Sequence, residues 1–117
     1  MPEPARGEIW LADLSPTRGH EQSGQRPVLI VSDDEFHGGI SGLFMAVPFT
    51  SKIQNSITNP VHILIAPPEG GLKTPSAILC DQLRTLSRDR LGDKAWGRVT
   101  AQTLADVESV LRMLLAL

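Results

Sequence analysis

The sequence changes character at Thr100. Before this residue, apolar segments are short and are separated by proline, glycine and polar turns. After it, Leu104, Val107, Leu111 and Leu114 recur at steps of three and four residues, a pattern typical of one face of an α-helix. The Thr100 hydroxyl is a suitable N-cap for that helix. Short strands followed by one amphipathic helix predict a mainly β fold with helices (α+β), a small, partly closed β-barrel with the helix packed on it.

Seven segments before the helix have the composition of strands. One of them, residues 28–31, is β-branched and apolar throughout, which predicts a strand covered on both faces. A long polar loop over residues 18–26 precedes it, and residues 88–91 are predicted to form a single helical turn. The predicted strands are residues 8–14, 28–31, 43–49, 61–65, 76–79, 82–86 and 95–99. With 117 residues in all, we expect a single domain over 1–117.

Composition excludes several classes of protein. An apolar content of 41% argues against disorder, and no apolar run approaches the roughly 18 to 20 residues that cross a membrane. The start of the chain lacks the pattern of a secretion signal, and the lone Cys80 excludes an internal disulfide framework, so we expect a cytoplasmic protein. A net charge of −2 counts against a general nucleic-acid binder but leaves a local basic groove open.

The loop over residues 18–26 carries an unusual density of hydrogen-bonding groups. It reads Arg-Gly-His-Glu-Gln-Ser-Gly-Gln-Arg, with cations, a carboxylate, an imidazole and amides between flexible glycines. Such groups are costly to bury and are not needed for a plain turn, so we expect the loop to contact a ligand. A solvated hairpin loop remains the alternative.

The loop and its flanks resemble the opening of the MazF/PemK/Kid family of toxins. That family begins with a strand, then Asp-x-x-Pro-Thr and Gly-x-Glu-Gln-x-Gly-x-Arg-Pro. The matching residues here are Asp13, Pro16, Thr17, Gly19, Glu21, Gln22, Gly24, Arg26 and Pro27. Two later blocks, residues 47–51 and 79–86, resemble the family's third-strand end and its Asp-Gln block, so the resemblance spans nearly the whole chain.

The resemblance implies an SH3-like barrel with a C-terminal helix and a homodimer whose RNA groove follows the subunit interface. It implies a sequence-specific, metal-independent endoribonuclease that cleaves single-stranded RNA without a cofactor. It also implies a cognate antitoxin that blocks the groove. The cleavage sequence stays open, because base preference in this family depends on variable loops, here residues 36–42 and 54–60.

Three residues are predicted to be catalytic through this resemblance. RNA is cut without a metal when its own 2′-hydroxyl attacks the adjacent phosphorus, leaving a 2′,3′-cyclic phosphate and a 5′-hydroxyl. Arg26 matches the family's catalytic arginine, and its guanidinium suits a phosphate that gains negative charge. Thr50 matches a catalytic threonine that donates to a phosphate oxygen. Glu21 matches a family glutamate, and its carboxylate either accepts the 2′ proton, positions Arg26, or is simply exposed without a role.

Further residues are predicted to contact RNA rather than to react. In the Kid-like branch a histidine and an aspartate at the places of His20 and Asp81 are linked to catalysis with an arginine, but Leu79 stands at the arginine's place. The MazF-like set of catalytic residues is therefore favoured. The predicted RNA contacts are His20, Gln22, Ser51, Lys52, Asp81, Gln82 and Arg84. Arg88, Arg90 and Arg98 are predicted either to attract the RNA backbone or to keep the surface soluble.

Two alternatives concern the remaining conspicuous side chains. Trp10 and Trp96 either stack on a base or pack in the core or interface, and packing is favoured. His37 and His62 have no metal-ligand spacing with Cys80, so no metal site is predicted.

Two functional alternatives to the ribonuclease also remain. One is a non-enzymatic gyrase poison like CcdB, which shares this fold, although the intact loop motif and Thr50 argue against it. The other is a domain that binds RNA or an antitoxin without activity.

Overall fold

The computed structural model describes residues 3–22, 24–36 and 42–117. His37 and most of the variable segment 36–42 lie outside the described residues. The described part contains seven strands and one α-helix, joined by short 3₁₀ turns. The elements are β1 Glu8–Asp13, β2 Gln25–Ile30, β3 Leu43–Thr50, β4 His62–Ile65, β5 Ser76–Leu79, β6 Arg84–Ser87, β7 Leu91–Arg98 and α1 Ala101–Leu114.

The strands form one antiparallel sheet in the order β4-β5-β3-β2-β1-β7, with β6 pairing beside β3. Irregular register where β1 meets β7 bends this end of the sheet. The described strands do not close into a barrel, because β4 and β7 lie at opposite ends of the order. The predicted mainly β fold with a C-terminal helix is confirmed, as an open, curved sheet.

Strand β2 is covered on both faces, as its apolar sequence predicted. Val28 and Ile30 belong to one hydrophobic cluster with Trp10 and Phe44, whereas Leu29 belongs to a second. Alternate side chains of a strand point to opposite faces, so β2 separates two cores.

Helix α1 packs on the second cluster. Val107 is fully buried in that cluster. At the start of the helix the Thr100 hydroxyl accepts a hydrogen bond from the Thr103 amide at 3.1 Å, which confirms the predicted N-cap. Within the described residues, no helix combines the length and the apolar character needed to span a bilayer.

Two strands begin earlier than the sequence predicted. Strand β2 starts at Gln25 rather than at residue 28, and β7 starts at Leu91 rather than at residue 95. The cause is pairing with β1, which places Asp13 beside Gln25 and Ala12 beside Leu91. Backbone hydrogen bonds therefore extend both strands into polar sequence. Arg26, expected at the end of a loop, lies on a strand.

Candidate functional site

Two pockets contain most of the residues that the sequence predicted for the site. The first has a volume of about 650 Å³ and is lined by Arg26, Thr50 and Ser51 among others. The second has a volume of about 430 Å³ and is lined by Glu21 and by most of the predicted RNA contacts, namely Gln22, Asp81, Gln82 and Arg84. His20 and Lys52 line neither pocket, and both are exposed. The structure thus divides the three predicted catalytic residues between two cavities.

Arg26 and Thr50 come together through the pairing of β2 with β3. The observed register pairs Val28 with Pro48 and Leu29 with Val47. Arg26 precedes these paired residues on β2 and Thr50 follows them at the end of β3, and both line the first pocket. Thr50 is buried, with 7% of its surface exposed, and its hydroxyl oxygen accepts a hydrogen bond from the Lys52 amide at 3.2 Å.

The opposite wall of the first pocket is a loop that packs against β7. Two glycines permit the close approach: a Cβ on Gly71 would overlap the backbone carbonyl of Trp96, and one on Gly97 would lie 2.6 Å from the carbonyl carbon of Gly70. Gly71 also has a φ of +79°, which side chains other than glycine rarely adopt. The contact brings Lys73 to the pocket that Lys94 and Trp96 line from β7.

Glu69 fixes the same loop to the start of α1. Its carboxylate accepts a hydrogen bond from the Thr100 amide at 2.9 Å. Burial opposes ionisation of this carboxyl, but hydrogen bonds from the Thr103 side chain and from Thr100 outweigh it, so the pKa of Glu69 is lowered from its usual value. A carboxylate at this place also stabilises the positive end of the helix dipole.

The polar loop before β2 is held by the turn Cys80–Gln82. The side-chain oxygen of Gln82 accepts a hydrogen bond from the Gln22 amide at 2.8 Å, and its side-chain nitrogen donates to the His20 carbonyl at 3.3 Å. Glu21 accepts from the Arg18 amide at 2.6 Å within the loop itself. Several groups predicted to contact RNA therefore also shape the loop.

Asp81 is hydrogen-bonded within the protein. Its Oδ1 lies 3.2 Å from Nε2 of His62, and Nδ1 of that imidazole lies 2.9 Å from the hydroxyl of the buried Ser56. The imidazole thus joins the segment after β3 to the turn Cys80–Gln82. Sequence reasoning considered His62 only as a metal ligand and missed this role, because Ser56 and Asp81 lie far apart in the chain.

The arginines predicted to contact RNA also donate hydrogen bonds within the fold. Arg84 donates to the Leu14 carbonyl at 3.3 Å, Arg90 to the Ser15 carbonyl at 2.7 Å and Arg98 to the Arg6 carbonyl at 2.8 Å. Arg88 donates to carbonyls of β7 and lies 5.1 Å from the ring centre of Trp10. These contacts fasten loop and strand ends.

The two tryptophans differ in their exposure to solvent. Trp10 is buried in a core cluster, as favoured, whereas Trp96 is 42% exposed and lines the first pocket. Sequence reasoning missed Lys73 and Lys94, which line the same pocket. No local pattern marks these two lysines, because their proximity depends on the loop packing against β7.

Neither a metal site nor a reactive thiol is found among the described residues. In the described ranges, no three His, Cys, Asp or Glu side chains lie together in a way that could hold a metal ion. Burial, together with the neighbouring Asp81 charge, raises the pKa of the Cys80 thiol to about 12. Cys80 is therefore a protonated core residue at neutral pH and not a nucleophile.

Comparison with known proteins gives a consistent result. The family model described as "PemK-like, MazF-like toxin of type II toxin-antitoxin system" matches residues 5–115. Endoribonuclease MazF9 of Mycobacterium tuberculosis is 34% identical over 112 residues, which cover 92% of each chain. The crystal structure of MazF from Deinococcus radiodurans superposes with a TM-score of 0.82 at 30% identity and covers 97% of each chain. An endoribonuclease from a mycobacterial species, solved with its cognate antitoxin, gives a TM-score of 0.77 at 28% identity and covers 98% of this chain and 97% of its own.

Proposed function

From the premise that the chain belongs to the family of PemK-like, MazF-like toxins of type II toxin-antitoxin systems, we propose that it is a sequence-specific, metal-independent endoribonuclease. Its substrate is single-stranded RNA, and residues 1–117 act as one toxin domain. The observation that carries the proposal is the pairing of Arg26 with Thr50 and Ser51 in one pocket. The relative from M. tuberculosis, itself named an endoribonuclease, supports the same activity.

The proposed reaction uses the nucleophile that RNA itself provides. The 2′-hydroxyl attacks the adjacent phosphorus, its proton leaves, and the bond from phosphorus to the 5′ oxygen of the next nucleotide breaks as that oxygen takes up a proton. The products are a 2′,3′-cyclic phosphate and a 5′-hydroxyl end. Negative charge builds on the non-bridging oxygens in the transition state, so fixed donors directed at them accelerate the step.

Arg26 is the proposed source of that stabilisation. A guanidinium stays charged at every working pH and presents a planar fork of N–H groups to phosphate oxygens. Thr50 is the proposed second donor. Its hydroxyl oxygen already accepts the Lys52 amide, so its one proton is directed to another acceptor, such as a phosphate oxygen. Ser51 supplies a neighbouring hydroxyl in the same pocket.

Glu21 is the proposed acceptor of the 2′ proton, although it lines the second pocket. Both pockets include residues of β3, since Pro48 lines the second and Thr50 lines the first. Two residues along a strand span roughly 7 Å. An RNA strand that runs across β3 would therefore contact both cavities. On this path Gln22, Asp81, Gln82 and Arg84 contact RNA from the second pocket, and His20 and Lys52 contact it from exposed positions nearby.

The proposed assembly is a homodimer that a cognate antitoxin inhibits in the cytoplasm. The mycobacterial endoribonuclease solved with its antitoxin supports an inhibitor of this kind. No cofactor has a part in the proposed reaction, and RNA supplies the nucleophile.

The deciding experiment incubates the purified protein, in excess EDTA, with a long single-stranded RNA and with DNA of the same sequence. We expect discrete RNA fragments that carry cyclic-phosphate ends, and intact DNA, since DNA lacks the 2′-hydroxyl. Mapping the fragment ends gives the cleavage sequence. Failure to cleave several varied RNAs would contradict the ribonuclease, and inhibition of gyrase by the same preparation would favour the CcdB-like alternative.

A further inference from the structure

The first pocket contains an exposed aromatic face. Of the two tryptophans, Trp10 is 1% exposed and Trp96 is 42% exposed. The indole of Trp96 lies on β7 and lines the pocket that Arg26 and Thr50 also line. Its partial exposure leaves aromatic surface in the pocket against which a ligand can pack.

The same pocket contains two exposed lysines. Lys73 reaches it from the loop after Glu69–Gly71, and Lys94 reaches it from β7. None of the ion pairs recorded for the described residues includes either lysine. Arg84 and Arg90, by contrast, donate to backbone carbonyls of the protein. The lysines therefore carry positive charge that is available to an anion in the pocket.

The walls that hold these groups are fixed relative to each other. The backbone of Gly71 lies against the Trp96 carbonyl so closely that a Cβ would overlap it. Glu69 ties the same loop to Thr100 at the start of α1. Trp96 and Lys73 thus line the pocket from two segments whose relative positions are fixed without a ligand. This preorganisation reduces the entropy lost when a ligand binds.

We propose that Trp96 stacks on a base of the RNA strand next to the phosphate held by Arg26 and Thr50, while Lys73 and Lys94 contact flanking phosphates. This inference rests on the proposed function and extends its site by three residues. A pocket of about 650 Å³ falls within the range of small-molecule sites and is larger than a lone phosphate requires. Because every base has a π-face, the stacked base contributes to affinity more than to sequence choice.

Binding to an RNA that cannot be cut tests the stacking directly. The probe is a fluorescent single-stranded oligonucleotide with the sequence of an RNA from the cleavage assay, in which every 2′-hydroxyl is methylated. Loss of one base–aromatic stack weakens binding by about 5- to 150-fold, so we expect Trp96→Ala to raise the dissociation constant within this range. Trp96→Phe keeps an aromatic face and should recover most of the affinity. Leu64→Ala, at a 50% exposed apolar side chain outside the pocket, is the matched control and should leave binding unchanged.

Salt dependence tests the two lysines. Each phosphate contact with a single strand adds roughly 0.7 to the slope of log K against log salt. The double variant Lys73→Gln/Lys94→Gln should therefore lower the magnitude of that slope by about 1.4. Arg112→Gln removes one exposed positive charge from α1, outside the pocket, and should leave the slope unchanged. An unchanged slope in the lysine variant would contradict their contact with phosphate.

The outcomes separate this inference from the proposed function. If the wild-type protein cuts RNA and folded Trp96→Ala binds the probe as tightly, the stacking is wrong and the ribonuclease stands. If probe binding depends on Trp96 but no RNA is cut, the proposed ribonuclease activity is wrong, and the proposed stacking holds for a protein that only binds RNA. If the wild-type protein neither cuts RNA nor binds the probe, both are wrong.

Discussion

The imidazole of His62 is joined to the carboxylate of Asp81, with 3.2 Å between Nε2 and Oδ1. Its other nitrogen lies 2.9 Å from the hydroxyl of Ser56, which is 2% exposed. The segment between β3 and β4, which includes a variable loop, is thereby tied to the turn that also holds Gln22. Any contact that Asp81 makes with RNA starts from this fixed position.

Replacement of His62 by alanine should release the segment between β3 and β4. Removing one partner of a buried hydrogen bond costs about 1–3 kcal/mol, and Ser56 would lose its partner. We expect faster amide hydrogen exchange over residues 51–61 and a lower free energy of unfolding. His20→Ala is the control, since this histidine is exposed. Equal rates of amide hydrogen exchange in His62→Ala and wild type would contradict the role of His62 in holding this segment.

Arg26→Ala should remove most cleavage without disturbing the fold. Loss of one preorganised donor to a developing oxyanion lowers rates by about 100- to 1000-fold. We expect a loss of this order in RNA cleavage, with the melting temperature and the oligomeric state of the wild type. Arg26→Lys keeps the charge but loses the bidentate fork, so it should recover only part of the rate. An unchanged cleavage rate in folded Arg26→Ala would remove this residue from the mechanism.

Glu21→Gln tests whether the carboxylate takes a proton or only shapes the loop. Glutamine keeps an oxygen that can accept the Arg18 amide, so the loop should survive the change. We expect slower cleavage, because the neutral amide cannot take up the 2′ proton. Glu21→Ala removes both the proton acceptor and the hydrogen bond to the Arg18 amide, and it serves as the comparison variant. A wild-type cleavage rate in Glu21→Gln would assign Glu21 to loop geometry instead.

Gly71→Ala should damage the first pocket more than a glycine replacement elsewhere. Both Gly71 and Gly42 have positive φ angles, +79° and +63°, so alanine at either position is strained by about 1–2 kcal/mol. At Gly71 the added Cβ also overlaps the Trp96 carbonyl, whereas at Gly42 it meets open space. We expect Gly71→Ala to lose about 1–3 kcal/mol more on urea unfolding, and to cleave more slowly. Equal losses of unfolding free energy in Gly71→Ala and Gly42→Ala would show that the loop at Gly71 shifts to accommodate the added Cβ at little cost.

Cys80 should resist thiol reagents in the folded protein. Because the pKa of its thiol is raised to about 12, almost no thiolate is present at pH 8, and burial blocks access. We expect labelling by iodoacetamide only after unfolding in urea. Rapid labelling of the native protein would contradict the buried, protonated thiol.

The same shift predicts how stability depends on alkaline pH. The pKa of this thiol is 9.0 when unperturbed and about 12 in the folded protein. The folded state therefore favours the protonated thiol, and this contribution to stability is fully present below pH 9 and is lost as pH rises towards about 12. Wild type should therefore lose more unfolding free energy than Cys80→Ala between pH 8 and 11. Equal losses of unfolding free energy in wild type and Cys80→Ala would contradict the raised pKa of the thiol.

The sequence by itself determined the elements and the class of fold. The apolar run over residues 28–31 marked a strand buried on both faces, and the stripe after Thr100 marked a capped helix. Local patterns suffice here, because strand and helix formation depends on side chains that are near in sequence. The motif between Asp13 and Pro27 likewise indicates the family from local sequence alone.

Only the tertiary structure decided which side chains share a cavity. The pairing of β2 with β3 places Arg26 and Thr50 at one pocket, and the packing of the loop around Gly71 on β7 brings Lys73 to the same pocket as Trp96. It also separated Glu21 from Arg26 and placed it at the second pocket. The physical reason is that contacts between distant segments depend on strand order, register and close backbone approach, and these follow from the packing of the whole chain rather than from any local pattern.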